Sequence, residues 1–222
     1  MLKRHYAVAV AVLVVWVFVC GGRAPADEIL AEFDVFSVSG SWYGAVLYDG
    51  AEWMAQTFEA AATGTATSVD LVLESLPGNN PDNLPLRIEL RTTYTDGYNG
   101  IVPSDNVIAQ GSIAHDDSRF TGAYEWINIE LTPAELNVGE MYAVVIKTDE
   151  QTDDAYEWKS KWKSGVDFYP PGRQVILLTG DQWNFSGDLA FRVRGTVVPE
   201  PATMVLVSLG GAGLLLRRRR RT

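Results

Sequence analysis

Alternation is the feature that most narrows what this chain can fold into. Leu86, Ile88 and Leu90 are interleaved with Arg87, Glu89 and Arg91, and Val69, Leu71 and Leu73 share one face while Asp70 lies on the other. Trp126, Ile127, Ile129 and Leu131 keep a similar period with one interruption. A period of two with one apolar parity is that of strands burying one face, as in an antiparallel sheet packed on a second sheet. Strands are expected near Gln56–Ala60, Ala66–Glu74, Leu84–Thr93, Val107–Ile113, Tyr124–Leu131, Met141–Thr148, Ala155–Trp162, Gln174–Leu178 and Leu189–Val197. Turn-forming clusters separate them, among them Pro77-Gly78-Asn79-Asn80-Pro81, Asp96-Gly97-Tyr98-Asn99-Gly100 and Pro170-Pro171-Gly172. The spacing predicts an all-β fold, an antiparallel β-sandwich. No repeat of solenoid period is evident.

Both ends read differently. Lys3-Arg4-His5 precede the uncharged run Tyr6–Cys20, and Ala24-Pro25-Ala26 places small residues at the −3 and −1 positions of a cleavage site. These are the three parts of a secretory signal peptide, expected over residues 1–26 and removed by signal peptidase after Ala26. At about 1.5 Å per helical residue the run is ~22 Å long, short of a ~30 Å hydrocarbon core. A lipoprotein reading at Cys20 is disfavoured by bulky Val19.

At the other end Pro199-Glu200-Pro201 is followed by the apolar, glycine-bearing run Met204–Leu216 and then by Arg217, Arg218, Arg219, Arg220 and Arg221. Five guanidinium groups favour the cytoplasmic side, so this segment is expected to stall export as a short apolar helix. The prolines keep the stretch around Glu200 extended, where a protease can grip it. This order resembles the PEP-CTERM sorting signal, also described as an ice-binding-protein C-terminal domain. The resemblance implies cutting near Pro199-Glu200-Pro201 by an exosortase, a membrane cysteine transpeptidase. It also implies transient inner-membrane anchoring and a final place on the surface, or in the matrix, of a Gram-negative-type bacterium that makes exopolysaccharide or biofilm. Three segments follow: 1–26, 27–198 and 199–222.

Within the central segment, Leu136-Asn137-Val138-Gly139-Glu140-Met141-Tyr142 resembles the L-x-x-G-x-x-Y connection of jelly-roll surface domains, many of them lectin-like. Gln56-Thr57-Phe58 and Thr67-Ser68-Val69-Asp70-Leu71 resemble their opening strands. The resemblance implies a jelly-roll type of sandwich. The Thr-x-Thr ladder of ice-binding domains is missing.

Charge and cysteine count exclude several classes. Residues 27–198 hold 10 basic and 27 acidic side chains, a formal charge of −17. Such a surface repels phosphate backbones, so nucleic acid is not an expected partner. Cys20 and His5 lie in the leader, so the processed chain has no thiol and only His115. That rules out disulfides, thiolate zinc sites and histidine clusters.

Two patterns could carry binding. Tyr156, Trp158 and Trp162 share one face of a strand, with Lys159, Lys161 and Lys163 on the other. Either the rings fill the core with the lysines in solvent, or they form an aromatic strip on which sugar rings stack. Asp149, Glu150, Asp153 and Asp154 cluster in a loop where hard oxygen ligands would suit a structural Ca²⁺, or where charge is simply solvated. Catalysis finds little support. A serine triad would need His115 with Asp116 or Asp117 and a serine such as Ser104 or Ser112, yet there is no Gly-x-Ser-x-Gly elbow. Glycoside hydrolysis needs only two carboxylates, which so acidic a chain neither supports nor denies. The expectation is a non-catalytic exported surface or matrix protein. A carbohydrate-binding module is the alternative, and a glycan-active hydrolase a weaker one. No cofactor is expected beyond that calcium, and exopolysaccharide is the expected partner outside the cell.

Overall fold

The computed structural model describes residues 27–38, 41–47, 51–76, 84–97, 100–148, 156–162, 167, 169–178, 182–184 and 187–198. Their strands are β1 (Glu28–Phe33), β2 (Ser41–Leu47), β3 (Ala51–Glu59), β4 (Gly64–Leu71), β5 (Leu73–Ser75), β6 (Leu86–Asp96), β7 (Gly100–Ile113) and β8 (Ile127–Leu136). They continue with β9 (Met141–Lys147), β10 (Tyr156–Trp162), β11 (Gln174–Leu178), β12 (Gln182–Asn184), β13 (Asp188–Leu189) and β14 (Phe191–Val197). No helix occurs among the described residues, and every pairing is antiparallel. The two apolar segments read as terminal helices lie outside the described residues.

One layer of the sandwich is the six-stranded sheet β12-β11-β3-β9-β6-β7. The other is made of β1-β14-β4-β8 and of β13-β10-β2, with β5 also on β10. These two smaller sheets are joined by strands that pass from one to the other. β4 continues into β5 past Val72, and β13 continues into β14 past Ala190. The paired strands β4 and β14 therefore part at Leu71 and Phe191, and β5 and β13 lie end to end along one edge of β10. At the fork the Lys159 N–H donates to the Val72 carbonyl (2.9 Å), and the Lys159 carbonyl accepts from Ala190 N–H (3.0 Å).

The core forms where the alternating apolar residues of both layers meet. Leu86, Ile88 and Leu90 of β6 and Val69 and Leu71 of β4 are fully or almost fully buried. Phe58 of β3 lies 5.3 Å from Phe191 of β14, ring centroid to centroid, across the layers. A second buried cluster, Trp53, Ala55, Val102, Ala143, Val145 and Val175, covers the outer face of the six-stranded sheet. Val102 belongs to the far edge strand, so the β6–β7 hairpin curls over its own sheet.

Two prolines that the alternation reading placed outside strands lie inside them. Pro133 falls in β8, where the pairing with β4 slips between Ala66 and Ser68. Pro103 falls in β7, beside a bulge in which Ser104, Asp105 and Asn106 oppose Thr92 alone. Proline is tolerated at bulges because its missing N–H is not needed by the ladder. β8 also starts later than expected, at Ile127, and β1, β2 and β12 were not anticipated.

Candidate functional site

The two ends of the described domain meet at one pole. β1 begins at Glu28, one residue after Asp27, and β14 ends at Val197, two residues before Pro199. Their register pairs Glu28 with Gly195. β14 is an inner strand, flanked by β1 on one side and β4 on the other. Where it approaches β4 both chains carry glycine. A Cβ on Gly195 would collide with the Thr65 carbonyl, and one on Gly64 with the Thr196 carbonyl. The crossing is thus closed by backbone alone.

Turns lock the same pole. Val198 N–H donates to the Thr63 carbonyl (2.8 Å), Gly139 N–H to Ala60 (2.9 Å) and Ala60 N–H to Glu140 (3.0 Å). Val138 N–H donates to Thr63 Oγ1 (3.1 Å). The Leu136–Tyr142 motif has a structural role here. Gly139 takes the left-handed conformation (φ 79°), and Tyr142 Oη accepts from Asn137 N–H (3.1 Å) while donating to Glu140 Oε2 (2.8 Å). Those bonds from Tyr142 and Asn137 hold the Glu140 carboxyl below its ordinary range. Burial, together with the Glu140 charge, raises the Tyr142 phenol.

Asp27 is tied to the final strand through Arg194, which lies 2.5 Å from Asp70 and 3.9 Å from Asp27. The hydrogen bond to Asp70, chiefly, raises the Arg194 guanidinium further. A shallow open cleft of about 420 Å³ runs beside it, lined by Asp27, Ser68, Asn128, Glu130 and Thr196 among others. The most exposed apolar side chains of this pole among the described residues are Val138 and Val198 (52% and 49%), with Ile29 beside Glu28 less so (39%).

The other expected site residues fall elsewhere. Tyr156 and Trp158 are fully buried. Tyr156 Oη donates to the Leu84 carbonyl and Trp158 Nε1 to the Ala190 carbonyl, each at 2.7 Å. Rings with no exposed face cannot stack on a sugar, so the aromatic strip is corrected at these two positions. Lys159 is corrected too, because it is not in solvent. Its Nζ lies between Glu157 Oε2 (2.6 Å) and Glu74 Oε2 (2.9 Å), with the Tyr124 ring 5.0 Å away. Burial pushes the ammonium down, but hydrogen bonds to Glu157 and Glu74 outweigh it and the net shift is upward. Trp162 ends β10, but its side chain lies outside the described residues, as do Asp149, Glu150, Asp153 and Asp154. No group of three or more His, Cys, Asp or Glu among the described residues is placed to hold a metal ion.

His115 meets Ser75, with Oγ 3.0 Å from Nδ1. Ser104 Oγ instead bonds Thr92 Oγ1 (2.6 Å). Asp117 is engaged by Arg119, whose side-chain and backbone hydrogen bonds hold its carboxyl down at about 2. The pairing with Ser75 had no sequence signal, since the two residues stand 40 positions apart. The outer face of the six-stranded sheet carries another unforeseen group, Glu89 between Arg91 (2.5 Å) and Lys147 (2.9 Å). Burial pushes Glu89 up, yet hydrogen bonds from Lys147 and Arg91 leave it below the ordinary range.

Ala24 and Ala26 precede the described residues, and Pro199, Glu200, Pro201 and Arg217–Arg221 follow them. A family model described as the PEP-CTERM protein-sorting motif matches residues 197–221. No curated protein matches the chain. The matched motif starts on the last residue of β14, and it is the mark of an exported protein sorted to the cell surface by an exosortase.

Proposed function

We propose that the chain is a non-catalytic surface or matrix component of a Gram-negative-type bacterium, associated with exopolysaccharide. Its leader is removed after Ala26. Its tail is held transiently in the inner membrane by Met204–Leu216 and Arg217–Arg221, until an exosortase cuts near Pro199-Glu200-Pro201. The observation that supports this reading is the coincidence of boundaries. β14 ends at Val197 and the last described backbone bond is made by Val198, so a cut at the prolines severs none of the described strands. The domain on one side of the cut keeps its whole sheet, and only the tail is lost. The jelly-roll likeness is part of this proposal, and the passage of β4–β5 and β13–β14 between sheets supports it.

Mass spectrometry of the protein from its host tests the reading. The expected N-terminus is Asp27, and the arginine block is expected to be gone. Replacing Pro199, Glu200 and Pro201 together by alanine should leave uncut protein in the membrane; normal release of that variant would overturn the sorting role.

A second reading, a carbohydrate-binding module, has one observation in its favour. Phe36 and Tyr124 are each 47% exposed, beyond the ends of β1 and β8 that lie away from the terminal pole. Phe36 meets Trp126 edge to face at 5.8 Å, and the Arg192 guanidinium sits 4.1 Å over Trp126. Exposed rings beside a fixed cation and carboxylates suit sugar stacking. Selective capture by one polysaccharide, lost in Phe36→Ala with the fold intact, would favour the module over a bulk matrix role.

A further inference from the structure

We propose that the terminal pole, centred on Val138 and Val198, is the face the domain turns to the lipid surface while it awaits processing, and that the tail alone keeps it there. This rests on the anchoring role proposed for residues 204–221.

Reach carries the argument. Residues 199–203 are all that separate Val198 from Met204, where the apolar run begins. From Val198 to Met204 is six residue steps, at most about 22 Å at ~3.6 Å each. A compact domain of this length has a radius of gyration of about 16 Å, hence a physical radius of roughly 20 Å. A leash about as long as the domain's own radius cannot wrap around it to the far side. Only surface near the attachment point can meet the bilayer, and the attachment point is Val198, bonded to Thr63. The leader leaves from the same place, because Glu28 pairs with Gly195. Until it is removed, the leader therefore pulls on the same pole as the tail, and afterwards the tail acts alone.

The chemistry there fits a contact that ends with the cut. Val138 and Val198 stand on either side of Thr63, bonded to its hydroxyl and its carbonyl, and present apolar side chains outward. Around them Asp27, Glu28 and Glu140 are exposed. Anionic lipid attracts basic groups and repels acidic ones, so two valines amid carboxylates do not bind a bilayer unaided. The leash supplies a high effective concentration instead. Once the exosortase removes it, the acidic pole has no reason to stay.

Site-specific labelling tests this. The chain is made in a host that has signal peptidase but lacks an exosortase, so that the leader with Cys20 is lost and the tail is kept. It receives a single environment-sensitive fluorophore at Val138→Cys, or at Ser118→Cys in the exposed turn between β7 and β8, and enters vesicles of phosphatidylethanolamine with a minority of phosphatidylglycerol. Spin-labelled lipid should quench the label at 138 several-fold more than the label at 118. Equal quenching, or stronger quenching at 118, in protein that floats with the vesicles would overturn the pole assignment and leave the anchoring role standing. Protein that fails to float would overturn the anchoring role itself, and the pole assignment with it.

Discussion

The fork at Lys159 and the terminal pole are built in opposite ways. At the fork two strands part around a third, and that third strand carries the two largest side chains fully buried among the described residues, Trp158 and Tyr156, with a buried ammonium between two carboxylates. At the pole the strands close on glycine, the turns are tied by backbone hydrogen bonds, and the apolar side chains face outward. Large rings hold the fork, so its stability lies in buried area. The pole is held by chain geometry, so its surface is free to serve as an exit. The contrast separates what keeps the domain folded from what hands it on.

The largest test falls on the fork. Trp158→Ala removes a fully buried indole and its bond to the Ala190 carbonyl, and should cost about 3–5 kcal/mol by chemical denaturation. A loss under ~1 kcal/mol would mean the fork is not where stability is concentrated. Next comes the backbone crossing at the pole. Gly195→Ala drives a Cβ into the Thr65 carbonyl, an overpacking that should cost about 1–3 kcal/mol. Gly97→Ala, with nothing near its added Cβ, serves as the control and should be close to neutral. If both behave alike, the close crossing of β4 and β14 is not a constraint.

These two regions also differ in how far the sequence revealed them. The inner faces were legible, since Leu86, Ile88 and Leu90 alternate and are buried as a row. The Leu136–Tyr142 motif was legible as a connection, because a left-handed glycine and a capping tyrosine act within seven residues. The sorting tail was legible because its charge and apolar runs follow one another directly. Ala66–Glu74 was read as one strand because the sheet change at Val72 leaves the alternation nearly unbroken. Parity puts Lys159 in solvent if the rings of its strand fill the core, and it cannot anticipate Tyr124 and Glu74 arriving from distant segments. The pole was invisible for the same reason, as the pairing of Glu28 with Gly195 joins opposite ends of the domain.

Acid and alkali should reach the two regions separately. Lys159 has a raised folded pKa, so its contribution is complete below the ordinary lysine value of 10.5 and is lost as pH rises through the folded value. The stability difference between wild type and Lys159→Gln should therefore shrink in alkali. Glu140 has a lowered folded pKa, so its contribution is complete above the ordinary 4.5 and is lost as pH falls through the folded value. The difference between wild type and Glu140→Gln should shrink only in acid. A Lys159→Gln difference that persists unchanged in alkali, or a Glu140→Gln difference that persists unchanged in acid, would erase the distinction between a buried cation and an exposed carboxylate.

The smallest effect is expected where the proposed membrane contact lies. Val138→Ser swaps an outward-facing apolar side chain for a polar one while keeping the N–H that bonds Thr63. Nothing is removed from the core, so the change in stability should stay within about 0.5 kcal/mol. A group that contributes so little to folding can still bias how a tethered domain rests on lipid, because the tail has already met the cost of bringing the two together. The variant should denature like wild type yet show weaker lipid quenching at a neighbouring label. If Val138→Ser instead destabilised the domain as much as Gly195→Ala, this valine would belong to the packing that closes the pole, and the line drawn between holding the fold and handing it on would have to move.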